Sequence, residues 1–234
     1  MGFTFKQFHI NDDRCAMKVG TDAVLLGAMA DISQASSILD MGCGSGVIAL
    51  MLAQRTQKEV KISAVEIDQA AFWQAEENVQ QSPWADKIQC FHQDVEDFCQ
   101  KCGEKNERFD LIVANPPYFP PGIHCGNEAR NLARYQLQSH LDWLEAATNC
   151  LIDEGKIQFI LPFDAAESLI KQTALFCVER CEIITKQGKP AQRMLVGFSP
   201  LSQRLQQSTL IIYNQNNQYT DAFKQLTHPF YLHF

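Results

Sequence analysis

From residue 36 to residue 177, short apolar runs alternate with helix-like stretches, and this rhythm constrains the fold more than any other feature. Parallel strands need a crossover to return the chain, and strands covered on both faces read as nearly continuous apolar runs. Ser37–Met41, Lys61–Glu66, Lys87–His92, Phe109–Ala114 and Lys156–Leu161 fit such strands. Between and after them, Val47–Gln54, Gln69–Gln80, a stretch from Val95, Leu141–Leu151 and Ala165–Phe176 fit helices. In Gln69–Gln80 the residues available to face a sheet are Ala70, Trp73, Ala75 and Val79, and Glu154-Gly155 should end the helix that starts at Leu141. The pattern predicts an α/β fold of successive βα units.

After residue 178 the rhythm changes. Val178–Lys186, a turn at Gly188-Lys-Pro190 and Arg193–Phe198 read as a hairpin, with Thr209–Tyr213 a further strand. Hairpin-linked strands after βα units predict a mixed sheet with an antiparallel edge region. Before the first parallel strand lie an extended piece, Phe3–Ile10, and an apolar helix near Ala23–Ala30. The expected organisation is one domain, 1–234, with a cap at 1–35, a βα core at 36–177, and a hairpin and tail at 178–234.

Composition narrows the function classes. With 46% apolar and 20% charged residues, the chain can build a core and does not read as disordered. No apolar run approaches the roughly 20 residues that span a bilayer. The opening MGFTFKQFHINDDR has neither a basic stretch nor an apolar one, so no signal peptide is expected, and Lys6 stands where myristoylation wants Ser or Thr. Nine cysteines form no framework and several sit in apolar stretches, which predicts a reducing, cytoplasmic setting. Cys99-Gln-Lys-Cys102 has metal or redox spacing but no evident second pair, so no metal site is expected. The net charge of −7 counts against promiscuous nucleic-acid binding, though a local basic patch is compatible with it.

Asp40-Met-Gly-Cys-Gly-Ser-Gly46 lies between the first strand and the first helix. Gly42, Gly44 and Gly46 let the chain turn tightly and let its backbone approach a ligand at the carboxyl end of the sheet. The plain alternative is a tight βα turn. A dinucleotide fingerprint would need glycine where Val47 stands, and the lysine of a phosphate loop is absent. The second strand ends in Glu66, and Asp94 follows the third, where it also suits the N-cap of a helix from Val95.

The most informative segment is Asn115-Pro116-Pro117-Tyr118, at the end of the fourth strand. Two prolines fix the backbone and remove two donors, so the Asn115 side chain and the Pro116 carbonyl can both accept from one NH₂ group. Tyr118 offers a flat face for a planar substrate. An NH₂ conjugated to a ring or carbonyl is a poor nucleophile, because its lone pair is delocalised. Two acceptors on its hydrogens free that lone pair and aim it, without a strong base. The alternative is a polar turn that closes a strand.

The glycine loop resembles the first motif of class I S-adenosylmethionine-dependent methyltransferases. The Asn-Pro-Pro-Tyr segment resembles the fourth motif of amino-methyltransferases acting on adenine N6, cytosine N4 or glutamine N5. Beyond the motifs, Phe8-His-Ile-Asn11, Ala16–Gly27, Glu128-Ala-Arg130 and Ala133-Arg134 make the whole chain similar to the bacterial tRNA1(Val) adenine-N6 methyltransferases. The resemblance implies a Rossmann-like fold with a seven-stranded mixed sheet and an antiparallel hairpin at its carboxyl-terminal edge. It also implies S-adenosyl-L-methionine as cofactor and the anticodon-loop adenine just 3′ of the anticodon as substrate. Glu66 would then meet the ribose hydroxyls, and Asp94 with the Val95 N–H the cofactor adenine. The segment of Met17, Lys18, Thr21 and Asp22 would cover the methionine end, unless Thr21 or Asp22 is simply a helix cap. Arg130, Arg134, Lys186, Lys189 and Arg193 are candidate RNA-facing cations, or else solvated surface charge. A tRNA partner and a monomer are expected. The competing readings are glutamine methylation of a release factor, adenine methylation of another RNA or DNA, and a catalytically silent RNA-binding module.

Overall fold

The computed structural model describes residues 2–116 and 140–233. A two-stranded antiparallel piece, β1 (Gly2–Thr4) and β2 (His9–Asn11), precedes α1 (Thr21–Met29). Alternation then runs β3 (Ser37–Met41), α2 (Val47–Arg55), β4 (Lys61–Glu66), α3 (Gln69–Gln80), β5 (Ile88–His92), α4 (Val95–Glu104) and β6 (Phe109–Ala114). The chain continues with α5 (His140–Thr148), β7 (Leu151–Pro162), α6 (Phe163–Gln172), β8 (Phe176–Lys186), β9 (Arg193–Ser199), β10 (Gln206–Tyr213) and α7 (Asp221–Thr227).

The main sheet has the order β10-β8-β9-β7-β6-β3-β4-β5. All neighbours pair parallel except β9, which is antiparallel to both β7 and β8. One face is covered by α1, α2, the amino-terminal segment and Phe223 of α7, the other by α4, α5 and α6. The central strands are buried on both sides, which is why Leu111, Ile112, Val113 and Ala114 run apolar without alternation.

Several expectations are corrected. Among the described residues the sheet has eight strands rather than seven, because Gln206–Tyr213 pairs parallel with β8 and takes the edge. The antiparallel strand is therefore internal. The helix expected over Leu141–Leu151 stops at Thr148, and Leu151 already belongs to a strand. Gly155 lies inside that strand, where a register jump from Phe109↔Leu151 to Leu111↔Lys156 absorbs the extra residues as a bulge. The helix expected over Ala165–Phe176 spans Phe163–Gln172, and Phe176 opens β8. On α3 the buried residues are Ala71, Gln74, Ala75, Asn78 and Val79, whereas Ala70 and Trp73 are exposed. Two polar side chains turn inward there because the amino-terminal segment supplies their partners.

Candidate functional site

The chain runs from β3 outward through β4 to β5 and then returns to β6 on the other side of β3. Such a switch opens a crevice at the carboxyl ends of the strands. Register sets what meets there. Met41 is level with Ala114 on one side and with Val65 on the other. Gly42, Glu66 and Asn115 therefore leave three adjacent strands at one height, with neighbouring strands about 4.8 Å apart.

The glycine loop is built by left-handed backbone: φ is +66° at Gly42, +55° at Gly44 and +79° at Gly46, the N-cap of α2. A side chain at Gly42 would come within 2.7 Å of the Trp143 ring, so Trp143 of α5 backs the loop. A Cβ at Gly44 would meet nothing within 4 Å. The loop is tied to β4 by the Cys43 N–H, which donates to the Val65 carbonyl at 2.9 Å. Glu66 Oε2 accepts from the Gly44 N–H at 2.8 Å and its Oε1 from the Asp68 N–H at 2.9 Å. Burial raises the Glu66 carboxyl above the usual carboxylate range, against the pull of those two bonds.

Asp40 is fully buried and accepts from the Ala49 N–H through Oδ2 at 3.0 Å. Burial first, and repulsion from Glu66 as well, carry its carboxyl up to about 7. Its Oδ1 is buried without a hydrogen-bond partner. Asp94 is the N-cap of α4, and Oδ1 accepts from Glu96 and Asp97 N–H groups at 2.8 and 3.2 Å. Val95 is buried. These groups fit a cationic, hydroxyl-bearing cofactor: an orphaned acid oxygen beneath the loop, a carboxylate beside it, and open space over Gly44.

Asn115 and Pro116 follow β6 directly, with Asn115 half-buried and Pro116 buried. Pro117, Tyr118, Arg130 and Arg134 lie outside the described residues. Neither Thr21 nor Asp22 caps α1, whose N-cap is Gly20 without a side-chain bond. Asp22 instead accepts from Arg193 Nε at 2.8 Å. The Lys18 ammonium donates to the Asp12 carbonyl at 2.5 Å, and Asp12 Oδ2 accepts from the Val19 N–H. Lys186 donates to Asn217 Oδ1 at 2.6 Å, and Lys189 is exposed. Lys186, Lys189 and Arg193 cluster around one strand-to-strand turn at the carboxyl edge.

Sequence patterns missed the clamp between the cap and the loop. Asn78 Oδ1 accepts from the Asn11 N–H at 2.9 Å, while its NH₂ donates to the carbonyls of Asn11 at 2.8 Å and Ser45 at 2.9 Å. Gln74 Oε1 accepts from the Arg14 backbone and side chain. The turn at Asp12–Cys15 thereby sits close to Glu66, whose charge adds to burial in raising the Cys15 thiol to about 12. The only sign in the sequence was a polar pair, Gln74 and Asn78, at helical spacing on what should have been an apolar face.

Cys99 and Cys102 are free and buried, and among the described residues no group of three or more His, Cys, Asp or Glu side chains could hold a metal ion. Among them, too, no helix is long and apolar enough to cross a membrane.

Comparison with known proteins gives a consistent outcome. The family model described as methyltransferase small domain matches residues 16–189. A Pasteurella multocida protein named tRNA1(Val) (adenine(37)-N6)-methyltransferase is 57% identical over 234 residues, covering 100% of this chain and 98% of its own. A Histophilus somni protein of the same name is 57% identical over 233 residues, covering 99% and 98%. Among solved structures, a predicted O-methyltransferase from Agrobacterium tumefaciens superposes with a TM-score of 0.70 at 21% identity, covering 89% of this chain and 96% of that one. That last likeness is one of fold.

Proposed function

Because the chain belongs to the methyltransferase small domain family, we propose that it transfers a methyl group from S-adenosylmethionine to N6 of the adenine at position 37 of tRNA1(Val). The observation that carries this reading is the full-length likeness to enzymes of that name, in a chain whose Asn115 stands level with the glycine loop. When bound, S-adenosylmethionine supplies a methyl group on a cationic sulfonium, already a strong electrophile.

The protein's own work is positioning. Gly42, Gly44 and Gly46 give the ligand access to backbone, Glu66 offers acceptors to ribose hydroxyls, and Asp94 with the Val95 N–H addresses an adenine ring. Asp40 and Glu66 set negative charge below a cationic ligand. Asn115 Oδ1 and the Pro116 carbonyl accept the two N6 hydrogens, so the nitrogen lone pair turns toward the methyl. Tyr118 stacks on the adenine. Lys18 and Thr21, on the cap, close the methionine side. An anticodon-loop base suits this site because it costs less to extrude than a paired one. The chain acts as a single domain, with residues 1–35 as its cap, and as a monomer in the cytoplasm.

The test is incubation with methyl-labelled cofactor and either tRNA1(Val) or a purified release factor, followed by digestion. Label in N6-methyladenosine at position 37 is expected. Label in glutamine, or in no tRNA nucleoside, would overturn the reading.

A further inference from the structure

A second cavity, of about 150 Å³, opens at the carboxyl edge of the sheet between β8, β10, α1 and α7. One wall is a column of rings: Tyr213 stacks on Tyr219 at 4.8 Å and 21°, and Tyr219 on Phe223 at 4.7 Å and 18°. Phe223 is buried and holds α7 to the core, whereas the two tyrosines are only half-buried. The hydrogen bond between their hydroxyls, and then burial, push Tyr219 up to about 12.

The opposite wall is polar. Thr185 Oγ1 donates to Gln192 Oε1 at 2.9 Å, which leaves the Gln192 NH₂ donors to a ligand. Both residues are exposed. Arg193 lines the cavity, and Lys186 and Lys189 lie beside it on the β8–β9 turn, which the Lys189 N–H closes on the Lys186 carbonyl. Asp22 offsets one of these charges. The two lysines of the turn are left as positive charges beside the cleft on a chain of net charge −7.

Tyr213 at the end of the ring column, beside amide donors and cations, matches one ligand chemistry, a nucleotide: ring for ring, amide for base edge, ammonium for phosphate. We propose that this cleft binds an unpaired nucleotide of the RNA substrate, a few positions along the chain from the methylated adenine. The proposal rests on reading the substrate as RNA. Position supports it. Arg193 is level with Pro162 and Ile183, so the cleft lies at the same sheet edge as Asn115. Three to four strand steps separate them, roughly 14 to 19 Å at about 4.8 Å per strand. That is too far for the reacting base and within reach of its neighbours.

The experiment uses the full chain, tRNA1(Val) transcript and two variants outside the cofactor site, Thr185→Phe, which fills the cleft, and Gln192→Ala. Both should raise KM for tRNA about tenfold, and Gln192→Ala should do so with kcat at saturating RNA, cofactor affinity and melting temperature unchanged. Photocross-linking with thiouridine-substituted anticodon stem-loop should mark the peptide holding Tyr213 and Tyr219. If the filled variant does not fold, Gln192→Ala and the cross-link decide. Wild-type KM in Gln192→Ala together with no cross-link at Tyr213 or Tyr219 overturns the cleft while leaving the tRNA reading intact. A wild-type protein that methylates no tRNA overturns both.

Discussion

Asp40 carries two oxygens with different fates, one bonded to the Ala49 N–H and one buried and orphaned. Its folded carboxyl titrates near 7, well above its unfolded value near 3.8. A raised acid favours folding below the unfolded value, and that contribution is lost as pH climbs through about 7. Melting temperatures of the cofactor-free protein between pH 5 and 8 should therefore fall less in Asp40→Asn than in the wild type. Binding of a cationic cofactor should release protons near neutral pH, which calorimetry in buffers of different ionisation heat reads directly. Asn115→Ala should lower kcat about a hundredfold or more while leaving cofactor affinity within a few-fold, measured by single turnover and titration. The two loop glycines should separate structure from ligand. Gly42→Ala meets both a positive φ and the Trp143 ring, and should destabilise by about 3 kcal/mol in urea unfolding. Gly44→Ala has only the backbone cost of about 1 kcal/mol, and its methyl group should weaken cofactor binding instead. Equal losses of stability in both would refute this division. The positions of the glycines, of Asp40, Glu66 and Asp94, and of Asn115 at the end of β6 were legible in the sequence, since each depends on local backbone or on the end of one strand.

Elements were legible where periodicity was undisturbed and misread where tertiary contacts overrode it. The apolar runs of β3, β4 and β6 needed no partner to be recognised. The face of α3 did, because Gln74 and Asn78 point inward only when the chain at Asn11 and Arg14 is there to bond them. Truncating Asn78 to Ala would leave the Asn11 N–H and the Asn11 and Ser45 carbonyls without it. We expect about 2 to 3 kcal/mol of destabilisation in urea unfolding, and a weaker cofactor affinity because the cap and the glycine loop lose their shared anchor. Unchanged affinity at full folding would show that the cap seats independently. The capping alternative for Thr21 and Asp22 is set aside for a similar reason: Gly20 is the N-cap of α1, and Asp22 bonds Arg193, from far along the chain. The bulge in β7 was invisible because a register jump depends on the neighbouring strand.

At the scale of the whole molecule, the proposed function has an acidic body approach an acidic polymer. Few cations line the carboxyl edge among the described residues, so binding of tRNA should depend on salt with a shallow logarithmic slope, about −3 or weaker, as expected from a handful of phosphate contacts. A slope of −6 would point to a basic surface elsewhere. By itself the sequence determined the βα order, the glycine loop and the acids at the strand ends, because backbone conformation and short-range patterning suffice for these. Its resemblance to a family then supplied the cofactor and the substrate. Only the tertiary structure decided that Gly42, Glu66 and Asn115 share one height, since register is a property of paired strands. It alone seated β10 as the eighth strand and so formed the tyrosine cleft, and it alone turned Asn78 into a clamp. These depend on contacts between residues far apart in the chain, and no local pattern encodes such a distance.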